Sequence, residues 1–171
     1  TERMKRILGP DHDDTLAAMD NLGVTLGSWD RFYESMEVHR KVLQFRERTL
    51  GATHIETLQT MQNLAMALFD LQRSDEAKEL ILKVYNERKS RLGKEHPWTL
   101  WALCYLAKIY SGTGLLQQAE GMLISGIAAA KRSLGENHLG VLMGCCELAR
   151  VYARQSRYEE ADVLARETLL R

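Results

Sequence analysis

Four of the five histidines, His12, His54, His96 and His138, recur in one frame, Leu-Gly-x-x-His. Imidazoles repeated at a fixed spacing could bind metal or titrate near neutrality. A metal site needs further donors, and no second Cys, His or carboxylate recurs at ligand spacing in all four frames. Each histidine also opens a different helix pair, so the four would be strung out rather than gathered. The competing role is helix entry. Pro97 directly follows His96, and proline suits the first helical position. Asp13, Asp14, Glu56 and the threonines Thr15, Thr57 and Thr99 then fill first turns, where acidic and hydroxyl groups are favoured. The spacing predicts helix punctuation, with no metal site.

The other reactive residues are three cysteines, Cys104, Cys145 and Cys146. They show neither a C-x-x-C spacing nor an even framework, which fits a reducing compartment such as the cytoplasm. Cys104 and Cys146 are 42 residues apart and occupy equivalent places on neighbouring helices. Small buried or groove-lining thiols are the expectation, with a redox pair as the alternative. The phosphate-binding G-x-x-x-x-G-K-[ST], H-E-x-x-H and G-x-S-x-G patterns are all absent. "SGTGL" (Ser111 to Leu115) has only the glycines of a phosphate loop, and its register makes it a turn. No catalytic residue and no cofactor are expected, and the chain does not read as an enzyme.

What positions these residues is a repeat. The leucines that open the four frames are Leu8, Leu50, Leu92 and Leu134, a constant step of 42. Periods of this size signal stacked helical units. Within each unit apolar residues recur at spacings of three and four: Leu16, Met19, Leu22, Gly23 and Leu26 in the first, and Leu58, Met61, Leu64, Ala65 and Leu68 in the second. That is one face of a helix. A polar turn follows ("SWDR", "LQRS", "GTGL", "RQSR"), then a second helix with Ser35, Ala77, Ala119 or Ala161 at a close-packing position. Strand-like alternation is missing and only two prolines occur. The reading is all-α.

The 171 residues carry 23 basic and 23 acidic side chains. That balance creates no global field for nucleic acid or an anionic membrane. No apolar run approaches the ~18–20 residues that cross a bilayer, and the charged start lacks a signal-peptide core.

The pattern Leu-Gly/Ala-x-x-Tyr/Leu, a turn, then alanine on the next helix resembles the tetratricopeptide repeat. The 42-residue period, with L-G-x-x-H-P-x-T-L and N-L-A, is most similar to its kinesin light chain-type subclass. Armadillo and HEAT repeats are the competing architecture, disfavoured by the paired small residues. The resemblance implies a right-handed α-solenoid of helix-turn-helix units over residues 1–171: the end of a preceding repeat at 1–7, repeats at 8–49, 50–91 and 92–133, and a truncated one at 134–171. It also implies a piece of a larger protein, such as a fungal nucleotide-binding receptor-like protein.

In such arrays the first helices line a concave groove. Register places Ala17, Asp20, Asn21, Val24, Ser28, Gln59, Gln62, Asn63, Met66, Asp70, Trp101, Cys104, Tyr105, Lys108, Met143, Cys146, Glu147, Arg150 and Arg154 on that face. Asn21 and Asn63 match the family asparagine that holds a peptide backbone, whereas Tyr105 and Glu147 replace it later. An amide both donates and accepts, as a peptide unit requires; a solvated helix face is the alternative. Trp101, Tyr105 and Lys108 share a face and would serve as aromatic anchors beside a charge, unless the tryptophans Trp98 and Trp101 pack between units. Asp20 and Asp70 against Lys108, Arg150 and Arg154 suggest a ligand acidic at its later end. The Lys and Asn pattern of the chaperone-tail clamp is absent.

The expected function is a non-catalytic scaffold for a peptide or protein partner, without nucleic acid or membrane binding. The alternative is a spacer that stacks end to end through exposed terminal repeats, forming a homo-oligomer.

Overall fold

The computed structural model describes residues 2–9 and 12–170. Among them every regular element is an α-helix, nine in all: α1 (Glu2–Leu8), α2 (Asp13–Ser28), α3 (Phe32–Thr49), α4 (Ile55–Asp70), α5 (Ser74–Leu92), α6 (Pro97–Gly112), α7 (Leu116–Leu134), α8 (Leu139–Arg154) and α9 (Tyr158–Leu169). The even-numbered helices are the first helices of the four repeats, and each is followed by its second helix. The segment expected as the end of an earlier repeat, residues 1–7, corresponds to α1, with Thr1 outside the described residues.

The histidine frames are helix punctuation. His12, His54, His96 and His138 are the N-caps of α2, α4, α6 and α8, each with extended backbone. In each, the backbone N–H two residues on donates to the histidine Nδ1, at 3.2, 3.3, 3.2 and 3.1 Å. One of the orphan donors of the first turn is thereby satisfied. The glycine of the frame does the opposite job. Gly51, Gly93 and Gly135 have φ of 87°, 85° and 84°, a region that glycine enters without steric cost. Gly135 caps α7, its N–H donating to Lys131 O at 3.1 Å. Leu-Gly-x-x-His thus ends one helix and begins the next.

The turns inside the repeats share one hydrogen-bond pattern. Arg31 N–H donates to Leu26 O and Asp30 N–H to Gly27 O. The same two bonds recur as Arg73 to Leu68 with Gln72 to Phe69, Leu115 to Tyr110 with Gly114 to Ser111, and Arg157 to Tyr152 with Ser156 to Ala153. This double closure is the Schellman motif, which demands positive φ at its penultimate residue. Asp30, Gln72, Gly114 and Ser156 hold that place, at φ 60°, 62°, 85° and 63°. "SGTGL" is one of these four turns, as its register requires.

The chain divides into two compact units, Thr1–Leu80 and Ile81–Arg171. In the first, α2, α3 and α4 pack on one another and bury Leu16, Leu26, Met36, Val42, Leu58, Met61 and Leu68. The close-packing position expected at Ser35 is real: Ser35 Oγ lies 3.5 Å from where a Cβ on Gly27 would stand. In the second, α6, α7, α8 and α9 pack in sequence, with α6 also against α8. Its core joins Leu100, Leu103, Leu123, Ile127, Val141, Leu148 and Val151. Both cores are the apolar stripes read from the periodicity.

Candidate functional site

The first unit holds a polar cluster that register alone misplaces. Asp20, expected as a groove charge, is 6% exposed. Its Oδ1 lies 2.6 Å from His39 Nδ1 on α3. Its Oδ2 accepts from Arg46 Nη1 at 3.2 Å and from Thr60 Oγ1 at 3.2 Å. Arg46 also donates to Thr60 Oγ1 at 2.7 Å and to Glu56 O at 3.2 Å, and its Nη2 is 3.0 Å from Glu56 Oε2. A carboxylate leaves water at high cost unless paired, and here it has a histidine, a guanidinium and a hydroxyl. The charge is consumed inside the protein rather than displayed on a surface.

The cluster reaches the candidate binding residues through one amide. Asn63 Nδ2 donates to Asp20 Oδ2 at 3.4 Å, and Asn63 Oδ1 accepts from Gln59 Nε2 at 3.2 Å. Gln59, Asn63 and Met66 are half-buried on α4, whereas Asn21 on α2 is exposed. Asn63 is therefore held in one orientation by a buried anchor. Gln62, expected on the groove, is buried at 3%; it shares the repeat position of Asp20, which faces the interior.

In the second unit, Trp101 is half-buried and its Nε1 is enclosed without a partner among the described residues. A Cβ on Gly140 of α8 would stand 3.4 Å from that nitrogen, so the indole packs between the first helices of repeats three and four. Packing, the alternative to an anchor, claims the edge of this ring. Trp98 is 37% exposed, and its carbonyl accepts from Arg88 Nη1 at 3.1 Å. Arg46 makes the same bond to Glu56 O in the first unit; Arg46 and Arg88 are 42 residues apart, a signal that a search for surface motifs overlooks. Burial lowers the Arg88 guanidinium to about 10.

Tyr105 and Lys108 lie half-buried on α6. Burial raises the Tyr105 phenol, with the Cys104 and Glu147 charges adding to it and Arg88 opposing. Glu147 on α8 is pushed up by burial, against the pull of Arg150, Lys108 and Arg154. Arg150 Nη1 is 2.7 Å from Glu147 Oε1 and its side chain is 66% exposed. Arg154 donates from Nη1 to Ser111 O at 2.9 Å, placing a cation on the carbonyl end of α6, where the helix dipole favours it. Cys104, expected along the groove, is 2% exposed, and burial pushes its thiol up to about 12. Cys145 is buried and Cys146 exposed, and none of the three is in a disulfide.

Among the described residues no group of three or more His, Cys, Asp and Glu side chains is arranged to hold a metal. No described helix is long and apolar enough to cross a membrane.

Capped helix pairs at a 42-residue period, closed by one repeated turn and packed on one another within each unit, define an α-helical repeat array. The chain belongs to the tetratricopeptide repeat family: tetratricopeptide repeat profiles match residues 59–132 and residues 15–56 and 141–171. Its fold is similar to that of solved tetratricopeptide solenoids. Two are crystal structures of a candidate kinesin light chain from Podosopora anserina with nearly identical TPR-like repeats. One is a single-substitution variant, with TM-score 0.78 and 26% identity over 99% of this chain and 80% of that one. The other has TM-score 0.75 at the same identity and coverage. BtubC from P. vanneervenii shares the fold at TM-score 0.73 and 15% identity, over 90% of this chain and 61% of its own. Among curated proteins, no sequence matches.

Proposed function

We propose that the chain is a protein-interaction scaffold whose first helices bind a peptide or a partner protein. Tetratricopeptide repeats typically serve as non-catalytic scaffolds, and membership of that family supports the general reading. The finer reading places two recognition patches, one in each unit. The patch on the first unit comprises Asn21, Gln59, Asn63 and Met66, with the Asn63 amide presented to a ligand backbone. The patch on the second comprises Trp101, Tyr105, Lys108, Arg150 and Arg154.

The observation that carries this reading is the charge around Glu147. A single half-buried carboxylate sits among Lys108, Arg150 and Arg154, so the face of α6 and α8 keeps an excess of positive charge beside Tyr105. Such a face steers and selects an acidic partner. Aromatic and arginine side chains are also the residues that most often dominate interface energetics.

A display library of linear peptides tests the proposal, panned against the parent and against an Arg150→Glu variant. The parent should enrich peptides rich in Asp and Glu, and these should bind the variant at least tenfold more weakly. Arg150 is exposed but pairs with Glu147, so a circular dichroism melt of the variant checks that weaker binding is not loss of fold. Enrichment of peptides without acidic character, or equal binding by both proteins, would overturn the assignment of the second patch.

A further inference from the structure

The first-helix position held by Asn21, Asn63 and Tyr105 in the first three repeats is held in the fourth by Glu147, the one acid in the series. Its surroundings, on the face shared by α6 and α8, are cationic. Arg150, one turn further along α8, has Nη1 2.7 Å from Glu147 Oε1. Arg154, a turn beyond that, donates to Ser111 O at 2.9 Å. Ser111 lies one turn past Lys108 on α6, so the Arg154 guanidinium is anchored beside the Lys108 end of that helix. Lys108, Arg150 and Arg154 all act on the Glu147 carboxylate. From α6, the titratable groups within reach of its charge are Cys104 and Tyr105. Among the described residues, no charged group of α7 or α9 joins the three cations acting on it.

Cations outnumber Glu147 three to one, yet they do not set its ionisation. Arg31–Glu34, Arg73–Glu76 and Arg157–Glu160 are pairs at 2.6 Å, and their hydrogen bonds hold those carboxyls below the ordinary 4.5. Glu147 makes the same kind of pair, but burial raises its carboxyl and outweighs Arg150, Lys108 and Arg154 together. Only 15% of its side chain is exposed. A charge kept against its preference for water, within a turn of several cations, marks a functional position better than a stabilising ion pair.

We propose that Glu147 is a built-in competitor for the acidic partner, occupying the cationic face in the free chain and yielding Arg150 to the partner's carboxylates. This rests on the reading of the second patch as a site for acidic partners, and it narrows their chemistry. A segment with one acid gains nothing by exchanging one carboxylate for another. A segment with several acids close together also engages Lys108 and Arg154, and so overcomes the repulsion of the carboxylate it displaces. The competitor weakens as it takes up a proton. Its raised carboxyl does so above the ordinary 4.5, where exposed acids of a partner, at about 3.9–4.3, are still charged.

Fluorescence anisotropy on the whole chain tests this with labelled oligoglutamate and oligo(cysteic acid) peptides, the sulfonates of the second staying charged throughout. The parent is measured beside Glu147→Gln, which keeps the shape and removes the charge. Glu147→Asn, carrying the residue of the first two repeats, repeats the comparison, and circular dichroism melts confirm that each variant is folded. At about pH 7 both variants should bind both peptides about tenfold more tightly than the parent, as expected for removing one like charge a few ångströms away at intermediate dielectric. The gap should narrow toward about pH 5 for the sulfonate peptide as well as for oligoglutamate, which excludes titration of the peptide as the cause. A serine-rich peptide with a single glutamate should bind at least tenfold more weakly than oligoglutamate. The proposal is overturned if the variants bind no tighter than the parent, if the gap does not narrow, or if the single-glutamate peptide binds as well as oligoglutamate; in each case the acidic-partner reading itself still stands. Failure of parent and variants alike to bind any of these peptides more tightly than about 1 mM would instead overturn that reading, and this inference with it.

Discussion

Replacing Gly23 by alanine should destabilise this chain although it sits in the middle of a helix, where alanine is normally preferred. A Cβ there would lie 2.6 Å from Cε1 and 2.7 Å from Nε2 of His39, well inside the 3.4 Å at which ordinary contact begins. The ring has nowhere to go, being 1% exposed and 2.6 Å from Asp20 Oδ1 through Nδ1. Overpacking by a methyl costs about 1–3 kcal/mol, and disturbing a buried hydrogen bond to a charged group adds about 1.5–3 kcal/mol. Helix propensity returns about 1 kcal/mol, leaving a net loss of about 3 kcal/mol. In a His39→Leu background the same change recreates the pair Ala107 and Leu123, which share one core in the second unit. There it should be neutral or stabilising by about 1 kcal/mol. Equilibrium urea unfolding of the four proteins, followed by circular dichroism, yields the coupling energy of the cycle. A coupling below about 0.5 kcal/mol, the level of independent sites, would refute the claim that the imidazole dictates the glycine.

Three further outcomes are expected. The hydroxyls of Thr57 and Thr99 are buried without a partner among the described residues, and Val141 holds the same position in the fourth repeat; Thr57→Val and Thr99→Val should each stabilise by about 1 kcal/mol in urea unfolding. Gln72 occupies at φ 62° the turn position that Gly114 occupies at 85°, so Gln72→Gly should stabilise by about 0.5–1 kcal/mol, and a loss would show that the left-handed strain was misjudged. Burial pushes the Cys104 thiol from its ordinary 9.0 up to about 12, so the unfolded thiol releases its proton first. The stability this contributes is complete below pH 9.0, declines as pH rises and is gone above pH 12; Cys104→Ala should flatten the alkaline limb of a stability profile, and an unchanged limb would exclude this thiol as its cause.

The period, the helix pairs, the histidine caps and the turn at "SGTGL" were legible because each depends on local backbone chemistry and is written several times over. Asp20, Gln62 and Cys104 were not. Register shows that they share a position, but a helix face three or four residues wide does not reveal which edge meets the groove and which meets the next repeat. The structure buries all three. The clues lay on another helix: His39 and Arg46 interrupt the apolar stripe of α3, and Gly23 stands where the other repeats have Ala65, Ala107 and Ala149. A buried acid was being accommodated, and its partners were 19 and 26 residues away. Trp101 was readable as aromatic and exposed to choice, while its fit against Gly140 needed coordinates.

The buried cluster around Asp20 has a consequence for how the chain finds itself during folding. Helices that repeat one apolar stripe invite exchange, and swapped pairings are a recognised hazard of such sequences. Asp20 removes that freedom for α2. Set against α7, it would meet Leu123 and Ala130 where His39 and Arg46 belong, stranding a carboxylate in an apolar core at a cost of several kcal/mol. Among the described second helices α3 alone offers both a histidine and a guanidinium at those places; α5 has Ile81 and Arg88 there. One charged residue thus serves as an address, giving the first repeat an identity in a sequence that otherwise says the same thing four times.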